Sequence, residues 1–232
     1  PILLRARVNA SLEKKRLRDE QRKLFRTFAT KEVAEELLRT GFSLGGQIVT
    51  ASVLIADIRS FTSIAESQDP SDSIELLNQY FSMMFDAVSH NGGIINQIVG
   101  DGLLAVFGAP IFYEDHRERA VKAGLQMLEQ LKVFNQNQLA QEKTAIRIGI
   151  GITSGKMVAG YTGTHNRAIY TCIGDTVNLA DRIEEYTKEA LRPLLIDEYT
   201  REGLSENFKV EDLGKIVFKG KNQAVSVFAV VS

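Results

Sequence analysis

Two short apolar runs, "IINQIV" and "LLAVFG", meet at Gly100-Asp101-Gly102. An Asp-Gly step between strand-forming residues closes a β-hairpin, because the turn needs backbone angles that glycine and aspartate tolerate. The middle of the chain is therefore antiparallel sheet, and its flanks must pack on it. Upstream, "IVTASVLIADI" reads as a strand with Val49, Ala51, Val53, Ile55 and Asp57 on one face. Asp69-Pro70 then supplies an N-cap and a first-turn proline for a helix whose stripe is Ile74, Leu77, Phe81, Met84 and Val88, stopped by Gly92-Gly93. Downstream, an amphipathic helix from about 115 to 134 precedes "AIRIGIGIT", a strand with Ile146, Ile148, Ile150 and Ile152 on one face. This β-α-β-β-α-β order predicts an α+β fold with a ferredoxin-like core and a mainly antiparallel sheet. A strand pair around "KMVAGYTG" and "AIYTCIG", a helix from near Asp175 and short strands extend it to the C-terminus.

Composition limits the partners. The 232 residues, 44% hydrophobic, suffice for one good-sized core with an appendage, and a net charge of −1 gives no footprint for nucleic acid or an acidic membrane. No apolar stretch approaches the roughly 20 residues of a membrane span, and the N-terminus lacks the order of a signal peptide, so no membrane contact is expected. The single cysteine, Cys172, excludes an intramolecular disulfide framework and a cysteine-rich zinc site and fits a reducing compartment, hence a cytoplasmic location. Residues 1–45 differ from the rest: charge-rich, with Val8, Leu12, Leu17, Leu24 and Phe28 at loose helical intervals. A solvated helix and a short parallel coiled coil carrying a signal from an upstream domain both fit this segment. Pro1 in place of methionine reads as a piece of a longer protein. The expected division is a helical, signal-transducing linker over 1–45 and a folded domain over 46–232.

The topology has a chemical consequence. In the β-α-β-β-α-β arrangement the first and second strands run parallel with the third between them, so Asp57 at a strand end and Asp101 at the hairpin tip become neighbours. Two converging carboxylates make a hard oxygen site suited to Mg²⁺ or Mn²⁺, and two such ions can hold an attacking oxygen and a polyphosphate leaving group together. Farther on, "IGDTVNLADR" offers Asp175 as a helix N-cap, with Asn178 and Arg182 four residues apart on one face. Such a pair suits a sugar hydroxyl and a phosphate oxygen, and a solvated helix face explains it equally well. Arg147 lies opposite the isoleucine face, next to Gly149 and Gly151, which are expected to leave room for a ligand, and Lys219 sits in the glycine-flanked "FKGKN". "GIGITSG" lacks the context of a dinucleotide site and there is no Walker lysine. His90, His116 and His165 are scattered, and no serine or cysteine stands in a nucleophile motif.

Taken together, "ADIRSFT", "GGIINQIVGDGLLAVFGAP", "RIGIGITSG", "YTCIGDTVNLADR" and "FKGK" resemble, in order and spacing, the catalytic domain of the class III nucleotidyl cyclases, from about Val49 to Ala229. The segments "LEKKRLRDEQRKL" and "FATKEVAEELL" look like the helical transducer that precedes this domain in bacterial members. The resemblance implies that Asp57 and Asp101, helped by the Ile58 carbonyl, bind two divalent ions. It implies that Arg147 and Lys219 hold the terminal phosphates, Asn178 orients the ribose and Arg182 stabilises charge at the α-phosphate. It also implies a composite site at a head-to-tail homodimer interface, downstream of a sensor domain. Gln97 and Thr171 stand where the family reads the purine. Adenylate cyclases commonly carry lysine, then aspartate or threonine, at these positions, and guanylate cyclases carry glutamate and cysteine. Thr171 leans toward ATP, whereas the amide of Gln97 can both donate and accept. The expected activity is conversion of ATP to 3′,5′-cyclic AMP and pyrophosphate. The alternatives are a guanylate or dual-specificity cyclase using GTP, and a nucleotide-binding regulatory module without turnover.

Overall fold

The computed structural model describes residues 45–164, 167–220 and 223–231. Their strands are β1 (Gly45–Ile58), β2 (Ile94–Val99), β3 (Gly102–Phe107), β4 (Ile148–Thr164), β5 (Arg167–Ile173), β6 (Leu194–Asp197), β7 (Lys209–Ile216) and β8 (Val225–Val231). The helices are α1 (Phe61–Glu66), α2 (Pro70–His90), α3 (His116–Ala140), α4 (Asp175–Ala190) and α5 (Glu198–Arg201). The linker expected over residues 1–45 lies outside the described residues, apart from Gly45, which opens β1.

One eight-stranded sheet runs β2-β3-β1-β4-β6-β8-β7, with β5 paired to β4. Its pairs are antiparallel except β4 with β6, so the expected mainly antiparallel α+β arrangement is present. Because β3 lies between β1 and β2, the C-terminal end of β1 and the β2-β3 tip share one edge of the sheet.

Both faces of the central strands are covered. Ile146, Ile148, Ile150 and Ile152 alternate onto one face as the pattern predicts and join Leu54, Ala56, Ile58, Tyr80, Met84, Val121 and Met127 in one core. A smaller cluster joins Ile183 of α4 to Leu195, Phe218, Val227 and Ala229. The expected stripe of α2 is met in part: Met84 and Val88 are buried and Leu77 and Phe81 pack against the core, but Ser73, Leu76, Tyr80 and Ala87 are also buried, and Ile74 is 59% exposed. Each large side chain fully buried contributes about 1.5–3 kcal/mol. Seating Leu76 and Tyr80 therefore outweighs one isoleucine left in water.

Three further departures concern element limits. "AIRIGIGIT" and "KMVAGYTG" do not form separate strands; β4 runs unbroken from Ile148 to Thr164, paired to β1 along the whole of β1. Its glycines allow close neighbours rather than breaks, since a Cβ on Gly160 would overlap the backbone of Gly45 and Gly46. α3 continues to Ala140, six residues past the expected end. α1, a single short turn of helix after β1, has no apolar period long enough to be read.

Candidate active site

β1 ends at a sheet edge with Asp57 half-buried and Ile58 buried. Asp101 occupies the adjoining turn, where Gly100 adopts φ 63°, a conformation glycine reaches without steric cost. The Ile58 amide donates to Asp101 Oδ2 at 3.2 Å, which ties the hairpin tip to the strand end. A Cβ on Gly102 would lie 3.5 Å from Asp57 Oδ1. Burial, a hydrogen bond with Asp57 and the Asp57 charge together push the Asp101 carboxyl up to about 6. Two carboxylates held in contact in this way fit a divalent cation, whose charge reverses the penalty. Among the described residues no group of three or more His, Cys, Asp or Glu side chains could hold a metal, so any ion at this edge relies on the two aspartates with backbone or substrate oxygens.

Beside the aspartates lies a residue that sequence reasoning passed over. Arg59 pairs with Glu184 of α4, Nη1 to Oε1 at 2.7 Å, and its Nη2 donates to the Glu184 carbonyl at 3.3 Å. The side chains are 14% and 7% exposed. The Arg59 amide donates to the Arg147 carbonyl at 2.7 Å. Burial raises the Glu184 carboxyl and the Arg59 charge opposes it, with Asp57 adding a smaller upward push. Tyr80 reaches the same region from α2: its hydroxyl is buried without a hydrogen-bond partner among the described residues, and burial with the charges of Asp57, Asp101 and Glu184 keeps it protonated.

This arrangement corrects the expectation that Gly149 and Gly151 leave room for a ligand. The space beside Gly149 holds the Arg59 guanidinium and the Thr187 hydroxyl, and that beside Gly151 holds the backbone of Ala180 and Glu184. The glycines let α4 lie directly on β4. Arg147 itself is exposed at the same sheet edge, one residue before Ile148, the register partner of Ile58.

Asn178 is exposed and Arg182 half-buried on α4, which begins at Asp175 after Gly174 as N-cap, so Asp175 is the first helical residue rather than the cap. Arg182 stands 3.8 Å from Asp181 and 3.6 Å from Glu185, surface pairs worth little. Glu184 faces inward toward Arg59, and residues two apart on a helix do not share a face, so Arg182 turns away from the aspartates of its own chain. Lys219 is exposed next to Phe218, whose ring meets Tyr186 of α4 edge-on at 5.8 Å. Gln97 is exposed on β2 and Thr171 is half-buried on β5. The Asn96 amide donates to the Tyr170 carbonyl at 3.0 Å, so the two strands meet one place before each of these residues.

The sequence model of the family described as "Adenylate and Guanylate cyclase catalytic domain" matches residues 46–231. The chain is 32% identical to adenylate cyclase 1 of Rhizobium meliloti over 86% of its own length and 31% of that protein's. It spans about a third of the length of most of the curated relatives it matches and 8% of one of them. Among solved structures, it is similar to the adenylyl cyclase CyaB from P. aeruginosa, with a TM-score of 0.76 and 32% identity over 82% of this chain and 97% of that one. It is similar to the guanylyl cyclase Cya2 with a TM-score of 0.75 and 34% identity over 81% of this chain and 94% of that one.

Proposed function

Since this chain belongs to the adenylate and guanylate cyclase catalytic-domain family, we propose that it converts ATP to 3′,5′-cyclic AMP and pyrophosphate at a composite site in a homodimer. In the proposed reaction the ribose 3′-hydroxyl gives up its proton to solvent and its oxygen bonds to the α-phosphorus, while the bond from that phosphorus to the oxygen shared with the β-phosphate breaks and pyrophosphate leaves. Positioning and charge neutralisation do most of the work in such a transfer. Asp57 and Asp101, with the Ile58 carbonyl, would hold two Mg²⁺ or Mn²⁺ ions. When bound, these supply Lewis-acid activation of the hydroxyl and neutralisation of the triphosphate. Arg147 and Lys219 take the terminal phosphates, Asn178 orients the ribose, and Arg182 meets charge growing on the α-phosphate.

The observation that carries the composite reading is the direction of α4. Glu184 faces inward to Arg59 and Arg182, two residues before it, lies on another face of the helix, which supports a reading in which a second chain brings both halves to one nucleotide. An apolar surface supports that pairing. Ile48, Val158 and Ile173 are register partners across β1, β4 and β5 and are 76%, 44% and 61% exposed, a cross-strand row of aliphatic side chains in water.

Thr171 and the adenylate cyclases among the relatives favour ATP. GTP is the second reading, favoured by the similarity to a guanylyl cyclase and by an exposed amide at Gln97 that can serve either purine. The test is purified protein with Mn²⁺ and either nucleotide, the cyclic product being measured over a range of protein concentrations. Cyclic AMP with specific activity rising with concentration supports the proposal. Cyclic GMP formed in excess would move it to the second reading, and no product from either would overturn both. The proposed role of Arg182 adds a sharper expectation: Arg182→Ala lowers kcat more than it raises KM.

A further inference from the structure

The buried Arg59–Glu184 pair connects two parts of the site that the sequence keeps 125 residues apart. On one side, Arg59 directly follows Asp57 and Ile58, and its amide is fixed to the Arg147 carbonyl. On the other, Glu184 lies two residues beyond Arg182 on α4. The contact has no slack: Arg59 makes one bond to the Glu184 carboxylate and another to its carbonyl, and Thr187 Oγ1 also donates to that carbonyl. Gly149 provides the gap through which the guanidinium reaches, since any side chain there would collide with it.

A buried ion pair is a poor source of stability, because desolvation of two charges offsets most of their attraction. A hydrophobic pair of similar volume would bind α4 to the sheet as well or better. Its geometric effect is specific, however. The guanidinium fork fixes both the axial position and the rotation of α4 relative to the end of β1. It therefore sets where Asn178 and Arg182 point with respect to the strand that ends in Asp57.

We propose that Arg59 and Glu184 are positioning residues that lock the metal-binding end of β1 to the helix carrying Asn178 and Arg182, so that cation binding at the aspartates and turnover through Arg182 depend on one shared contact. The proposal rests on the cyclase reading above. In a composite dimer, the aspartates and Arg182 of one chain serve different sites, so the same contact also joins the two sites through each subunit.

The experiment is a double-mutant cycle with Arg59→Gln, Glu184→Gln and the combined variant in the full chain. It measures kcat and KM for Mn²⁺-ATP, the Mn²⁺ concentration giving half-maximal activity, Mn²⁺ binding to nucleotide-free protein by electron paramagnetic resonance, and the melting temperature. Each single variant is expected to lose about 10–100-fold both in Mn²⁺ affinity and in kcat, the range for groups that orient metal ligands, and a loss confined to one of the two would overturn the proposal. KM should change far less. The double variant should be no worse than the poorer single one, and Arg59→Lys should recover part of kcat. Losses that multiply in the double variant would overturn the proposal, as would a lowered melting temperature with kcat and Mn²⁺ binding unchanged. If a single variant fails to fold because it strands one buried charge, the double variant carries the test: well folded, it must still bind Mn²⁺ weakly and turn over slowly. Wild-type protein that binds Mn²⁺ but forms no cyclic product would count against the cyclase reading, whereas the variant effects on Mn²⁺ binding and on amide exchange at residues 57–59 and 178–184 would still decide the inference.

Discussion

Asp101 is held against Asp57 at the end of β1 with its carboxyl pushed up to about 6, so the metal-free protein carries an electrostatic cost at the place where it is expected to bind cations. The folded state retains this proton more tightly than the unfolded chain, where the value is near 3.8. Its contribution to stability is therefore complete below the unfolded value and is lost as pH rises through about 6. Asp101→Asn removes the charge altogether. Metal-free Asp101→Asn should melt above wild type at pH 8, the gap should close as the pH falls below about 6, and cyclase activity should vanish. Paired melting curves across pH check the first two and a cyclic nucleotide assay the third. The same proton competes with cations, so Mn²⁺ affinity of the wild type should weaken below about pH 6. At the purine end, Gln97→Lys should raise the preference for ATP over GTP, read as the ratio of kcat/KM values. Equal responses with both nucleotides would show that this residue does not read the base.

The element that most shapes the site is α4, laid directly on β4 over Gly149 and Gly151. Gly151→Ala would place a methyl group inside the Ala180–Glu184 backbone, and overpacking of this kind costs about 1–3 kcal/mol. Because the strain acts on the seat of α4, kcat should fall along with the urea midpoint, and an unchanged kcat would mean that the helix seat does not set the catalytic geometry. The glycines also show what the sequence could and could not convey. Chemistry written in local pattern was legible: the Asp-Gly hairpin, the isoleucine alternation of β4 and the helical spacing of Asn178 and Arg182. What glycine makes room for is a tertiary fact, and the gaps at 149 and 151 admit a guanidinium and a helix backbone rather than a ligand. Only the Ile74 end of the α2 stripe differs, for a related reason, since whether Ile74 or Leu76 and Tyr80 turn inward depends on what the sheet accepts. Arg59 carried one signal that could have been used: a cation directly after a buried strand end must find a partner. Its partner in "RIEE" lies too far along the chain for any period to reveal.

For the whole molecule, the topology unites half of the site and separates the rest. The β2-β3-β1 order makes Asp57 and Asp101 neighbours, as the strand arrangement predicted, and the contact between β2 and β5 brings the segments of Gln97 and Thr171 together. The packing of Glu184 inward turns Arg182 outward, away from those aspartates. A chain built in this way carries both halves of the proposed machinery, and the proposal is that a second copy is needed to use them. The central claim is most directly tested by mixing Asp57→Ala and Arg182→Ala proteins, each expected to be inactive alone. Random pairing gives half heterodimers, each with one intact site and one doubly defective site, so the equilibrated mixture should recover about a quarter of wild-type specific activity. A mixture as inactive as either parent, under conditions where heterodimers are shown to form, would contradict the composite site.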